Sequence, residues 1–196
     1  MSLKQLKKVL IIQLGDIGDV VWTTPTLRAV KKAYPEAQVS LLVREGVGLL
    51  LEGDPILEKI FEVKHHGESF IHKRIEEVKF ILNLRREHFD LVFDLRAGDR
   101  GAVLAYMTRA PIRVSLLYQR GVPFWRNWLF THLIDPPHPV RKARGAAEQS
   151  LKIVRGMGIK ADDPTPKLWI SEKVRERVGH LLRSEKIFEQ PRWMES

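Results

Sequence analysis

The residues best equipped for chemistry lie in one short stretch, Leu14-Gly-Asp-Ile-Gly-Asp-Val-Val-Trp-Thr-Thr-Pro25. It follows an apolar run, Val9 to Leu14, whose β-branched content predicts a buried strand, and it precedes Leu27, Val30 and Tyr34 at helical spacing. The stretch therefore occupies a strand-to-helix turn, where open α/β sheets place ligands beyond their strand ends. Gly15 and Gly18 allow a tight turn with the backbone close to a ligand. Their G-x-x-G spacing is not the G-x-G-x-x-G of a dinucleotide site, and no G-K-[ST] follows as in a P-loop. Asp16 and Asp19 would also put two carboxylates where a pyrophosphate must lie, and like charges repel. A carboxylate here suits proton abstraction instead, taking the proton from a hydroxyl as its oxygen attacks a sugar. A free aspartate side chain, with an ordinary pKa of ~3.9, is a weak base, so burial or positioning must assist it. The competing use is structural. Asp19 or Thr23 can cap the helix, with Pro25 in its first turn, and the residues alone leave both uses open.

The second feature is charge. The chain carries a net charge of +9, and ten of its Lys and Arg residues fall between Arg109 and Lys160, opposed only by Asp135 and Glu148. Arg109, Arg113, Arg120, Arg126, Arg141, Lys142, Arg144, Lys152, Arg155 and Lys160 could form a surface for anionic partners, or simply a solvated basic face. Trp125 and Trp128, with Phe124 and Phe130, sit beside Arg120 and Arg126. Their spacing predicts a helix packing an apolar face, with contact to lipid headgroups or stacking on bases as alternatives. Nucleic-acid binding rests on charge alone and has no recognised motif, so no nucleic-acid partner is expected. His65, His66 and His72 lie near Glu68 without the spacing of a metal site, and no metal or cofactor is expected.

The elements that must position these residues read as alternating strands and helices. Val39–Val43, Lys59–Val63, Leu91–Leu95 and Arg113–Leu117 have strand character, and Glu45–Glu52 could form a short helix. From about Ser69 to Glu87, Ile71, Ile75, Val78 and Leu82 make one apolar stripe. Glu148–Met157 is helical, with Gly158 as a stop. The alternation predicts an α/β fold with a parallel sheet covered on both faces. The Pro-rich stretch 162–166 reads as a linker, followed by a helix from Ser171 to Glu185 with a stripe of Val174, Val178 and Leu181. Residues 1–160 thus form one domain, and 161–196 lead onward.

Composition sets the remaining bounds. With 196 residues the chain can bury a sizeable core without staples, and it has no cysteine to supply any. The apolar run after Lys8 is too short for a signal peptide, and no stretch approaches the ~20 apolar residues of a membrane span. A cytoplasmic protein is expected.

Two blocks then carry a family resemblance. Residues 17–32, Ile-Gly-Asp-Val-Val-Trp-Thr-Thr-Pro-Thr-Leu-Arg-Ala-Val-Lys-Lys, resemble the opening of the ADP-heptose:lipopolysaccharide heptosyltransferases. Residues 89–105, Phe-Asp-Leu-Val-Phe-Asp-Leu-Arg-Ala-Gly-Asp-Arg-Gly-Ala-Val-Leu-Ala, resemble the family's strand-D-L-R-G-x-x-R stretch, and the resemblance covers about 8–170. It implies the N-terminal, acceptor-binding half of a glycosyltransferase B fold, built from two Rossmann-like domains. The implied reaction is inverting, metal-independent transfer of heptose from ADP-heptose to the lipid A–Kdo inner core. Asp19 maps onto the proposed catalytic base. Gly15, Asp16, Gly18, Thr23, Lys64, Lys73, Arg74, Arg96, Arg100, Arg120 and Arg126 are the implied acceptor-binding residues. ADP-heptose would bind only through a C-terminal domain that is missing here. Peripheral contact with the cytoplasmic face of the inner membrane is a further expectation. The chain departs from the pattern at Gly15-Asp16, where Ser or Thr-Ser is common, and at Ser115, where Gly often follows the fifth strand.

Overall fold

The computed structural model describes residues 6–64, 70–96, 98–117, 125–135, 145–170 and 172–184. Strand β1 (Lys8–Ile12) leads into two helices, α1 (Ile17–Val21) and α2 (Thr24–Ala33). Then follow β2 (Gln38–Arg44), a 3-10 turn at Gly48–Leu51, β3 (Leu57–Val63) and the long helix α3 (Phe70–Arg86). The second half runs β4 (Leu91–Asp94), α4 (Asp99–Met107), β5 (Ile112–Leu116), the single-turn α5 (Trp125–Trp128), β6 (His132–Ile134), α6 (Gly145–Gly156) and α7 (Glu172–Ser184).

The six strands form one sheet in the order β3-β2-β1-β4-β5-β6, with every neighbouring pair parallel. The sequence expectation of an α/β fold with a covered parallel sheet holds. Its cause is visible in β1, where alternate residues serve opposite faces. Val9 and Ile11 join Leu27, Val30, Leu151 and Val154 on the α2–α6 side. Leu10 and Ile12 join Leu84, Ala102 and Ala105 on the α3–α4 side. A strand buried on both faces is apolar at nearly every position, which is why β1 reads as a continuous run. Each fully buried Leu, Ile or Phe of this core contributes roughly 1.5–3 kcal/mol relative to exposure.

Three local expectations are corrected. β1 ends at Ile12, so Gln13 and Leu14 belong to the loop that follows. Helix α1 and strand β6 are additional elements, both too short to leave a periodic signal. The stripe of α3 does not face the sheet. Ile75, Val78 and Leu82 are exposed at 48%, 55% and 44%, and the helix is anchored instead by Leu84, with Phe80 and Ile81 half-buried. α6 stops where expected: Gly158 takes φ +80°, and the N–H of Ile159 returns to the Val154 carbonyl at 3.2 Å.

After the buried Ile159 and Ala161, residues 162–170 run without regular structure along the surface. The Lys167 N–H donates to Thr24 Oγ1 at 3.0 Å, tying this segment to the start of α2. Helix α7 follows, with Val174, Val178 and Leu181 about half-exposed. Among the described residues no helix is long and apolar enough to cross a membrane.

Candidate active site

The strand order reverses between β1 and β4, and in such sheets the crevice beyond the carboxyl ends of those two strands receives ligands. The Gly15-Asp16 turn hangs over one side of this crevice. Gln13, buried at its root, holds the turn from both ends: its Oε1 accepts the Gly15 N–H at 3.2 Å, and its Nε2 donates to Thr23 Oγ1 at 3.1 Å. Thr23 Oγ1 in turn donates to the Asp19 carbonyl at 2.8 Å. A buried amide satisfied on both atoms fixes the loop without leaving an orphaned polar group.

Asp19 points its carboxylate back across that turn. Its Oδ2 accepts the Asp16 N–H at 3.2 Å, so it helps to cap α1 and not, as expected, the helix that carries Pro25, whose N-cap Thr23 makes no side-chain cap bond either. The same oxygen accepts a charged hydrogen bond from Arg96 Nη1 at 2.8 Å, reaching over from the end of β4. The pair bridges the crevice and keeps contact with solvent, its side chains 36% and 52% exposed. Gly15 is what permits this geometry: a Cβ there would fall on the Asp19 carboxylate. Gly18 has no such constraint, since a Cβ would meet open space.

Cations line the rest of the crevice. Arg44, ending β2, binds Asp16 Oδ1 at 2.6 Å. Arg100, in the first turn of α4, donates to the Lys64 carbonyl at 3.2 Å. Arg44, Arg96 and Arg100 line a cavity of about 320 Å³ together with Leu14, Asp94, Gly98, Asp99 and Gly101. The N-terminal end of α4 opens into it, adding the partial positive charge of a helix start. The arrangement can hold an anion, with the exposed carboxylates of Asp16, Asp19 and Asp99 about it. A larger groove of about 1040 Å³ opens beside Leu6, Tyr34, Ala37 and Ile159. Leu6 and Ala37 precede β1 and β2, so this groove lies at the opposite end of the sheet from the crevice.

Beneath the crevice floor lies a second, buried pair. Asp94 Oδ2 accepts from Arg126 Nη2 at 3.0 Å, with side-chain exposures of 1% and 0%. Arg126 also donates to Ser115 Oγ at 2.8 Å and to the Leu116 carbonyl at 3.2 Å, and its guanidinium stacks 4.9 Å from the Phe130 ring centre. Ser115 Oγ donates to the Asp94 carbonyl at 3.0 Å. Burial pushes the Asp94 carboxyl up to about 6, with Arg126 opposing the rise. The Arg96 N–H, at 3.3 Å from Asp94 Oδ1, links the buried pair to the bridging one.

The structure sorts the sequence-derived site residues. Asp19, Gly15, Asp16, Arg96 and Arg100 gather at one crevice, with Lys64 at the end of β3 contributing its carbonyl to Arg100. Thr23 is corrected: it is fully buried with both bonds internal, so its hydroxyl is spent in positioning the loop. Arg126 is corrected too, because its guanidinium is consumed in the core. Arg113 and Arg155 likewise bond inward, to the Leu129 and Ala161 carbonyls, so the 109–160 cluster is not one open basic face. Arg74 is exposed on α3, and Lys73 lies in α3 with its side chain outside the described set. Arg120, Phe124, Arg141, Lys142, Arg144, Ser171, His65, His66 and Glu68 lie outside the described residues, and the side chain of His72 is not described. The tryptophan stretch forms one turn with Trp128 76% exposed, rather than a packed apolar helix. Sequence reasoning missed Gln13 and Arg44, although each is the first polar residue after an apolar strand run.

The fold and crevice define a class: a Rossmann-like domain with its site at the strand-order reversal. Solved glycosyltransferases share its fold. The chain superposes on a glycosyl transferase family 9 structure from Veillonella parvula with a TM-score of 0.72 at 22% identity, covering 94% of this chain and 51% of that one. For E. coli heptosyltransferase WaaC with ADP-2-deoxy-2-fluoro heptose the TM-score is 0.66 at 18% identity, covering 82% and 51%. In sequence, the chain is 28% identical over 145 residues to lipopolysaccharide heptosyltransferase 3 of Escherichia coli K12. That match spans 72% of this chain and only 40% of the relative's length. No family model matches. The resemblance to the heptosyltransferase family, carried in the sequence by two short blocks, therefore extends over 72% of the chain in sequence and over 82–94% of it in fold.

Proposed function

We propose that this chain is the acceptor-binding half of an inverting, heptosyltransferase-like glycosyltransferase. The observation that carries the reading is Asp19, whose carboxylate is held by Arg96 and the Asp16 N–H at the rim of a cation-lined crevice. In this reading Asp19 takes the proton from the acceptor hydroxyl as that oxygen attacks the sugar. Arg44, Arg96, Arg100 and Lys64 hold the phosphates and carboxylates of a lipid A–Kdo inner core. Residues 161–196 lead toward a second domain that would bind ADP-heptose and stabilise the leaving diphosphate. The heptosyltransferase WaaC structure is described with an ADP-heptose analogue, which supports that donor class for the proposal.

One observation favours a second reading, a non-catalytic module that binds an anionic glycolipid. Asp19 is already engaged by Arg96, and a carboxylate committed to an ion pair can serve as a structural brace. Titration separates the readings. Isothermal calorimetry of this chain with Kdo-lipid A should give binding, and with ADP-heptose none. Tight ADP-heptose binding would assign the chain to the donor half instead. Addition of the complementary half should then start transfer if the first reading holds, and should leave the acceptor unchanged if the second does.

A further inference from the structure

Asp94 is the side chain that joins the buried part of the site to its exposed part, and its two carboxylate oxygens serve different sides. Oδ2 accepts from Arg126 Nη2 at 3.0 Å and from Ser115 Oγ at 3.3 Å, both inside the fold. Oδ1 accepts the Arg96 N–H at 3.3 Å, at the crevice. Gly101, the third residue of α4, packs against the same oxygen: a Cβ there would stand 2.6 Å from Oδ1. Asp94, Arg96 and Gly101 all border the cavity of about 320 Å³.

Stability alone does not account for a carboxylate at this position. Apolar side chains of the same volume often match or exceed a buried ion pair. What they lack is an acceptor on each side. An asparagine lacks it too: it would keep its oxygen on Arg126, the charged and therefore stronger partner, and turn its own N–H toward the Arg96 N–H. That second contact is the one the crevice needs. The Leu95 N–H clamps the chain to β1 through the Ile12 carbonyl at 3.0 Å. Asp94 Oδ1 extends this hold by one residue, to the one whose guanidinium reaches Asp19 at 2.8 Å.

We propose that Asp94 is a positioning residue for the Asp19–Arg96 pair: anchored inward on Arg126 and Ser115, it fixes the Arg96 backbone and the first turn of α4, and so sets where the arm that holds Asp19 stands. The effect on turnover rests on the transfer reading; the geometry does not.

Amide hydrogen exchange in the 196-residue chain tests the geometry. Asp94→Asn should speed exchange of the Arg96 N–H at least about tenfold beyond any change at Ile11 and Phe93 in the sheet. Turnover in a protein carrying both halves tests the consequence. There Asp94→Asn should lower kcat at least about tenfold with KM within about threefold. Arg96→Met should lower kcat comparably, and adding Asp94→Asn to it should lower kcat no further. Gly101→Ala leaves the buried charges in place and would ordinarily favour a helix, yet it should speed Arg96 exchange and lower kcat by crowding Oδ1. It covers the case of an Asp94→Asn variant that does not fold. Ser115→Ala loses bonds on the inner side alone, so it should lower the denaturant midpoint while leaving Arg96 exchange, relative to the sheet, and kcat within about twofold. Unchanged relative exchange of Arg96 in Asp94→Asn would overturn the proposal. So would kcat losses that merely follow the midpoints across the three variants, or a full further loss from Asp94→Asn in the Arg96→Met background. Wild-type turnover in Asp19→Asn would sink the transfer reading instead, and the Arg96 amide would still decide whether Asp94 positions that arm.

Discussion

Asp19 and Asp94 each pair with an arginine at nearly the same distance, 2.8 and 3.0 Å, at the same crevice. Their surroundings differ completely. Asp19 and Arg96 keep 36% and 52% of their side-chain surface in solvent, whereas Asp94 and Arg126 keep 1% and 0%. The exposed pair can exchange its partner for water or for a ligand at small cost, because water solvates whatever is released. The buried pair cannot. Removing either member strands the other in a medium that does not solvate it. Chemistry needs a group that can change its partners, and architecture needs one that cannot. On the proposed reading, two pairs of identical composition serve opposite ends, and burial separates them.

The largest effect should come from the group assigned to chemistry. Asp19→Asn, assayed in a protein carrying both halves, should lower turnover by roughly 10²–10⁴, the usual worth of a general base. Acceptor affinity should stay within a few-fold, and Asp16→Asn should do much less. Near wild-type turnover would leave Asp19 as a cap and a brace. Next comes the buried pair: Arg126→Met should cost about 3–5 kcal/mol of unfolding free energy near neutral pH. Replacing both members, Asp94→Leu with Arg126→Met, should recover much of that loss, read from denaturant midpoints. A double variant as unstable as the single one would show that packing by the Arg126 side chain, not its charge, matters.

The buried pair should also announce itself through pH. Asp94 sits at about 6 in the folded chain against an ordinary value near 3.8, so between these values the folded state binds more protons than the unfolded one. Its contribution to stability is then fully present below about pH 4 and is lost as pH rises through about 6. The full swing is on the order of 3 kcal/mol, at about 1.4 kcal/mol per unit. Thermal melts across that window should show a falling component that Asp94→Asn removes. A profile unchanged by Asp94→Asn would mean that Arg126 cancels the cost of burial.

Much of this is legible in the sequence, and the limits have physical causes. Strands β1, β2 and β4 can be read because burial on both faces demands unbroken apolar runs. The crevice loop can be read because Gly15, Asp16 and Asp19 are close neighbours in the chain. The orientation of α3 cannot, because Ile75, Val78 and Leu82 make as regular a row as Phe80, Ile81 and Leu84, and periodicity does not say which row faces the sheet. Arg126 misleads for a related reason. Its partner stands 32 residues earlier, and charge in a sequence looks exposed until such a partner is brought to it. Thr23 carries a hydroxyl that could serve a ligand, and only the fold shows it spent between Gln13 and the Asp19 carbonyl.

The smallest effect, and the sharpest test of the comparison, belongs to Arg96. Both members of its pair are more than a third exposed, so their attraction is screened by water and by salt over ~8 Å at physiological ionic strength. Arg96→Met should therefore change unfolding free energy by no more than about 1 kcal/mol. In a double-mutant cycle with Asp19→Asn the coupling should be equally small, and it should shrink further in high salt. The cycle on Asp94→Asn and Arg126→Met should give a coupling several times larger and nearly indifferent to salt, because no counterion reaches a buried guanidinium. Denaturant titrations of the two single variants and the double, at low and high salt, supply both numbers. A coupling of several kcal/mol between Asp19 and Arg96 would place that pair with the buried one, as a fixed brace of the fold, and would take from Asp19 the freedom that proton transfer requires.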